Sequence, residues 1–258
     1  MRIGIYQPAA AGLSIEQRLT GLKQTLEAEP REALPDLVLC PELFISGYAV
    51  ADALLESASP KGGEVFQQVS RLAQQLEIAI VFGYPEKGEN CLYNSTGFVS
   101  KTGELIANHR KRLNAPGGYE DSYFQVGDQP TLIDYQGFRL AILICYEVEF
   151  PELVREVAMS GAQVVLVPTA LGAEWGVVAV NVIATRAFEN GVWLAYANHA
   201  GVEGHIRYLG GSRIVSPDGN IAIEAGAEET LISCRIDKDS IERAQTRLPY
   251  LRDVPKLK

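Results

Sequence analysis

The side chains best suited to chemistry stand at the ends of three apolar runs. Leu37-Val-Leu-Cys-Pro-Glu42 ends in a carboxylate, Ile106-Ala-Asn-His-Arg-Lys111 in an ammonium, and Leu140-Ala-Ile-Leu-Ile-Cys145 in a thiol. Each run reads as a strand followed by a loop rich in Gly or Pro. Ligands of open α/β sheets collect outside the carboxyl ends of strands, so the three groups are expected to converge on one site. A thiolate beside an ammonium is favoured by Coulomb attraction, which makes the thiol a nucleophile. A carboxylate within reach can take and return its proton. Singly, each residue has an ordinary structural reading. Cys145 would be a small buried hydrophobe, Glu42 a solvated loop residue, and Lys111 surface charge. Only the three contexts together point to catalysis.

The elements that must position these groups alternate between strand and helix patterns. Ile3–Tyr6 reads as a strand. Ile15, Leu19, Leu22 and Leu26 share one helix face. Leu37–Leu39 is a second buried strand, and Val65/Phe66, Val69, Leu72/Ala73 and Leu76 form the apolar side of a second helix, before a strand at Ile78–Phe82. Cys91–Val99 and Glu104–His109 form a hairpin around Ser100–Gly103. A second hairpin joins Thr131–Tyr135 to Phe138–Cys145 at Gln136-Gly137. A helix near Glu152–Met159, a strand at Val164–Val167, a helix near Val177–Asn190 and a strand at Trp193–Ala197 follow. The final third holds the hairpin Ser212–Ser216 and Ile221–Ala225, turning at Pro217-Asp-Gly219, then strand Thr230–Ile236 and a short helix. No linker-like stretch interrupts this order, so residues 1–258 read as one domain with mixed sheets. The polar, Pro-containing segment Leu248–Lys258 reads as a C-terminal arm.

Composition narrows the partners. Of 258 residues, 23 are Lys or Arg and 32 are Asp or Glu, a formal net charge of −9. Such a field disfavours nucleic acid and anionic membrane surfaces. The strand-like start Met1-Arg-Ile-Gly-Ile-Tyr6 shows no signal-peptide pattern, and the apolar runs are short, giving the expectation of a cytoplasmic protein. The 4 cysteines lie far apart without a Cys-x-x-Cys pair, so they read as reduced thiols. His109, His199 and His205 lack the spacing with cysteine that a zinc site shows.

The sequence resembles the nitrilase superfamily, the carbon–nitrogen hydrolases. The resemblance is carried by Pro41-Glu42-Leu-Phe-Ile-Ser-Gly47-Tyr48, Arg110-Lys111 and Cys145-Tyr-Glu-Val-Glu-Phe-Pro151-Glu152. It continues through Val167-Pro-Thr169, Arg186-Ala-Phe-Glu-Asn190, Gly211-Ser212 and Pro217-Asp-Gly219, in the family's order and over nearly the whole chain. It implies a four-layer αββα sandwich with mixed sheets, paired as a homodimer or higher homo-oligomer. It implies Cys145 as nucleophile, Glu42 as general base, and Lys111 with the main-chain N–H of Tyr146 as oxyanion donors. Glu120 matches a further family glutamate that positions the substrate nitrogen or orients Lys111. Tyr48, Tyr146 and Trp175 would line the acyl pocket, or else serve as ordinary core aromatics. Arg186 and Glu189 read as a buried structural pair.

The chemistry suits these roles. A carboxylate can relay the thiol proton to leaving ammonia and then activate water. A lysine and a main-chain N–H can stabilise the tetrahedral oxyanion. No metal, organic cofactor or histidine is required. The amidase-type Cys145-Tyr146-Glu147 points to a small linear amide as substrate. An N-carbamoyl amine or amino acid, a nitrile, or a catalytically silent partner-binding role are the alternatives. Arg112-Leu113 after the lysine and the loop Asn114-Ala-Pro-Gly-Gly-Tyr119 depart from the family pattern at the expected pocket mouth.

Overall fold

Each central strand of the protein is apolar on both faces, and this dictates its layers. The computed structural model describes residues 1–49 and 51–257. In the first sheet the strand order is Thr230–Arg235, Arg2–Gln7, Leu37–Leu39, Ala79–Lys87, Leu92–Val99, Leu105–Arg110, with Phe124–Gln125 beside Leu92–Val99. The second runs Ile221–Glu224, Arg213–Val215, Trp193–Ala197, Val164–Pro168, Phe138–Ile142, Thr131–Tyr135. Central strands are parallel: Leu37–Leu39 pairs so with Arg2–Gln7 and Ala79–Lys87, and Val164–Pro168 with both its neighbours. The outer strands are antiparallel except Phe124–Gln125, which pairs parallel with Leu92–Val99. A small third sheet joins Ala9–Ala10, Ala200–Glu203 and Ile206–Arg207.

Alternation along the strands decides which residues meet. Ile3, Ile5, Leu37 and Leu39 of the first sheet pack against Leu140, Ile142, Val164 and Leu166 of the second, forming the core between the sheets. Val38, Ile80 and Phe82 point the other way, onto Leu22, Leu26, Val65 and Val69 of helices Ile15–Glu27 and Glu64–Leu76. Ala141, Leu143, Val165 and Val167 pack onto Val154, Val157, Ile183 and Ala187 of helices Pro151–Met159 and Ile183–Asn190. The result is the αββα sandwich, with parallel strands buried on both faces as their sequences require. Helix Ile15–Glu27 opens on a capping box, in which Ser14 Oγ accepts from Gln17 N and Ser14 N donates to Gln17 Oε1.

Two expectations are amended. The strand beginning at Phe138 leaves the ladder after Ile142 and does not extend to Cys145. The reason is local: Cys145 opens the 3₁₀ turn Cys145–Glu149, and Glu147 accepts the N–H of Ile144 at 2.6 Å. The helix near Val177–Asn190 is a π-helical stretch, Val178–Val182, continuing into Ile183–Asn190. The terminal segment forms short turns, Tyr250–Asp253 and Val254–Lys256, that fold back on the chain. There Leu251 meets the outer helix core, and the Tyr250 ring meets Phe188 at 6.1 Å. Lys258 lies outside the described residues. Among the described residues, no helix is long and apolar enough to cross a membrane.

Candidate active site

Glu42 follows strand Leu37–Leu39, where the chain must turn sharply beneath its neighbour. Leu43 takes φ +48°, a left-handed conformation rare outside glycine. Gly83, on the adjacent strand, passes so close that a Cβ there would strike the main chain of Pro41, Glu42 and Leu43. Glycine is therefore required to let the carboxylate-bearing loop close over the strand. The Glu42 main chain is anchored on both sides: its N–H donates to Thr169 O at 3.3 Å, and its carbonyl accepts from His199 Nε2 at 2.8 Å.

The Glu42 carboxylate is fully buried. Its Oε1 accepts from Lys111 Nζ at 2.7 Å and from Asn94 Nδ2 at 2.7 Å, while Oε2 has no partner among the described residues. Lys111 extends strand Leu105–Arg110, its N–H donating to Asn94 O at 2.8 Å. The ammonium also reaches Glu120 Oε1 and Oε2 at 2.9 and 2.8 Å. All three of its N–H donors can thus be matched inside the protein. Glu120, buried at the start of Glu120–Tyr123, further accepts from Tyr48 OH at 2.6 Å and Ala115 N at 3.2 Å.

Cys145 is partly buried and takes φ +48°. A non-glycine residue held there stores strain of about 1–3 kcal/mol, which its surroundings must offset. Arg186 supplies part of that support, donating to Val148 O at 3.1 Å and Glu149 O at 2.6 Å, while its other arm meets Glu189 at 3.0 Å. The Arg186–Glu189 pair is thus a brace for the turn that bears the thiol.

The electrostatics join the groups. Burial pushes the Cys145 thiol up, the Glu42 charge pushes it further, and Lys111 and hydrogen bonds from Thr169 and the Ala170 backbone pull it back. Burial likewise pushes the Glu42 carboxyl above the usual range, with Lys111 opposing and Glu120 adding. Burial alone would lower Lys111, but Glu42 and Glu120 hold it firmly protonated. Burial and the Glu42 charge thus oppose the thiolate that the Lys111 ammonium favours.

The structure brings Glu42, Lys111, Glu120 and Tyr48 into one bonded cluster, of which the Glu42 and Lys111 charges act on Cys145. Tyr146 is half-buried, its ring edge-on to Phe150 at 4.9 Å. Trp175 lies in the turn Ala173–Trp175 with 60% of its surface exposed, so its ring is not a buried wall. Sequence reasoning missed Asn94, His109, Glu147, His199 and Glu203. The buried polar run Asn94-Ser95-Thr96 inside a strand was a usable signal, since a buried polar face must find partners.

The sequence model of the carbon-nitrogen hydrolase family matches residues 2–246. A Pseudomonas protegens protein described as a hydrolase in the pqqF 5' region is 36% identical over 256 residues, covering 98% of this chain and 88% of its own. An (R)-stereoselective amidase of Pseudomonas sp is 32% identical over 219 residues, 84% of this chain and 79% of its own. The NitN amidase of Nesterenkonia sp. AN1 superposes with a TM-score of 0.83 at 32% identity, covering 98% of this chain and 96% of that one. A glutamate-to-glutamine variant of that amidase carries the acetamide moiety of fluoroacetamide on its active-site cysteine; it superposes with a TM-score of 0.83 at 31% identity, over 98% and 93% of the two chains. With the matched family spanning nearly its full length and the sandwich fold shared, this chain belongs to the carbon-nitrogen hydrolase family.

Proposed function

We propose that this chain hydrolyses small uncharged amides to a carboxylic acid and ammonia through a thioester on Cys145. The observation that carries the reading is the buried Glu42–Lys111–Glu120 cluster, with the Glu42 and Lys111 charges acting on the Cys145 thiol. Glu42 Oε2 takes the thiol proton as sulfur attacks the amide carbonyl. The oxyanion is met by the Lys111 ammonium and by the main-chain N–H of Tyr146, in the first turn of Cys145–Glu149, where N–H groups lack an intrahelical acceptor. Glu42 then delivers its proton to the departing ammonia. A water deprotonated by Glu42 attacks the thioester, and the sulfur recovers its proton as the acid leaves. Glu120 holds Lys111 and offers a carboxylate oxygen to the amide N–H₂.

An uncharged substrate is favoured because the cations nearby are already engaged. Lys111 is flanked by two carboxylates, Arg112 meets Glu156 at 2.6 Å, and Arg186 serves Glu189 and two carbonyls. Ammonia release from propionamide, propionitrile and a ureido acid, with and without hydroxylamine, tests the proposal. Propionamide should turn over fastest, and hydroxylamine should divert the acyl-enzyme to a hydroxamate. Faster ureido or nitrile cleavage would replace the substrate class, and loss of hydroxamate would remove the thioester.

The free state of Cys40, Cys91, Cys145 and Cys234 suits a reducing compartment, and we place the enzyme in the cytoplasm. We further propose a homodimer. Val177, Val180 and Phe188 are 58%, 56% and 40% exposed along one helical segment, an apolar face that a second copy would cover. Sedimentation should show the dimer, weakened by truncation after Arg247, which strips Tyr250 from Phe188. A stable monomer of full activity would refute it.

A further inference from the structure

Behind the loop that bears Tyr48 lies a buried charge pair that the reaction scheme does not use. Arg18, from helix Ile15–Glu27, and Glu203, from strand Ala200–Glu203, meet at 3.2 Å with 2% exposure of each side chain. Arg18 also donates to the carbonyls of Ala11 and Leu13 at 3.0 and 3.2 Å. Glu203 divides its oxygens. Oε1 accepts from Arg18, whereas Oε2 accepts from Tyr48 N at 2.9 Å, Ala49 N at 3.0 Å and Tyr208 OH at 2.9 Å. Gly47, at φ +82°, is pressed so tightly that any side chain there would collide with Glu203 and Arg18.

The anchored residue is the one that touches the cluster. Tyr48 OH donates to Glu120 Oε1 at 2.6 Å, and the same oxygen accepts from Lys111 at 2.9 Å. Tyr119 OH donates to the Tyr48 carbonyl, and the two rings meet at 5.4 Å. His199, next to the strand that carries Glu203, donates Nε2–H to the Glu42 carbonyl and packs on Tyr208 at 5.0 Å. The segment 42–49 thus presents a reactive carboxylate at one end and a hydroxyl at the other, and residues 199–208 hold both ends from behind.

We propose that Glu203 is a positioning residue of this site: it fixes the main chain at Tyr48, so that the Tyr48 hydroxyl holds Glu120 and Lys111 in the geometry that receives an amide. The inference rests on the amidase reading above. A carboxylate is needed here because both oxygens must accept. Glutamine can satisfy either Arg18 or the three donors at Oε2, and its N–H₂ then faces donors on the other side.

A buried ion pair that only supported the fold would lower stability and activity regardless of Tyr48. The test is a double-mutant cycle on propionamide hydrolysis by the full chain, with kcat and KM measured separately and thermal unfolding followed in parallel. Tyr48→Phe should lower kcat/KM about tenfold, the effect of one lost hydrogen bond to a charged group. Glu203→Gln should cost about as much. Tyr208→Phe leaves the Arg18 pair intact, so it should fold and cost about threefold. In the Tyr48→Phe background, Glu203→Gln and Tyr208→Phe should each cost less than about twofold, since the route they act through is gone. If Glu203→Gln does not fold, the Tyr208→Phe cycle decides alone. Equal factors in both backgrounds, or a change in unfolding temperature only, would overturn the role. A wild-type chain that releases no ammonia would overturn the amidase reading and this role together, whereas turnover without coupling overturns the role alone.

Discussion

The imidazole of His109 and the carboxylate of Glu147 meet at 3.0 Å, both fully buried. A carboxylate can only accept, so His109 Nε2 carries the proton there. Glu147 also accepts the main-chain N–H of Ile144 at 2.6 Å and of Arg112 at 3.1 Å, the neighbours of Cys145 and Lys111. His109 Nδ1 lies 3.1 Å from Thr131 Oγ1. One side chain therefore ties the turn bearing the thiol to the strand bearing the ammonium, across the two sheets. Despite the burial that opposes ionisation, the bonds from His109, Ile144 and Arg112 hold Glu147 below the usual carboxylate range.

Glu147→Ala would leave these donors buried and unpaired. Each such orphan costs about 1–3 kcal/mol, so we expect at least about 3 kcal/mol of lost stability. Turnover should fall with it, because Cys145 and Lys111 lose their common tether. Urea unfolding and kcat measured together check this. A variant within 1 kcal/mol of wild type, on the order of the error of such comparisons, would mean water replaces the carboxylate.

Glu42→Gln should leave the fold intact and lower turnover by about 10²–10⁴, the usual cost of a lost general base. The thiol should behave oppositely. Glu42 raises the Cys145 thiol, so removing its charge should lower that value and let Cys145 ionise at lower pH. Ultraviolet thiolate titration against a Cys145→Ser control reads the shift. An unchanged or higher midpoint would contradict the charge arrangement, and near-native turnover would move the base to Glu120.

Gly83→Ala tests the packing beneath Glu42. The new methyl would approach the main chain of residues 41–43 to 2.3–2.8 Å, so the loop must move by about 1 Å to regain van der Waals distance. Misplacement on that scale costs about a hundredfold when reacting atoms are involved. We expect a large loss of kcat with a smaller loss of thermal stability. Full activity would show that Glu42 tolerates the shift.

His199 sets a pH window. Burial, aided by Arg18, lowers it from 6.5 to about 4, against the Glu42 carbonyl and Glu203, which raise it. The folded chain thus keeps His199 neutral while the unfolded chain protonates it. The stabilisation is complete above about pH 6.5 and is lost as pH falls toward 4, on the order of 3 kcal/mol in all. Urea unfolding at steps between those values should show the slope, and His199→Asn should flatten it. Parallel slopes in both proteins would assign the acid sensitivity elsewhere.

Much of the architecture was legible because burial on both faces leaves a strong record. The runs Leu37–Leu39, Val164–Val167 and Trp193–Ala197 could be read as interior strands, and the 65–76 spacing as a helix face, from residue type alone. The small strands Ala9–Ala10 and Ala200–Glu203 were not, because pairs of such short, distant segments carry no periodic signal. Glu42, Lys111 and Cys145 stood out by their places at strand ends.

What the sequence by itself determined was the candidate groups and the sheets that carry them, since hydrophobic alternation and strand termini are local properties. The tertiary structure alone decided their electrical state and their supports. Lys111 lies between two carboxylates drawn from positions 42 and 120, and burial and the Glu42 charge push the thiol up against its pull. His109 and Glu147, or Glu203 and Tyr48, are 38 and 155 residues apart and share no pattern that links them. Their partnership follows from burial: once packing excludes water, each polar group must find its match in the fold, and which match it finds depends on the three-dimensional path of the whole chain.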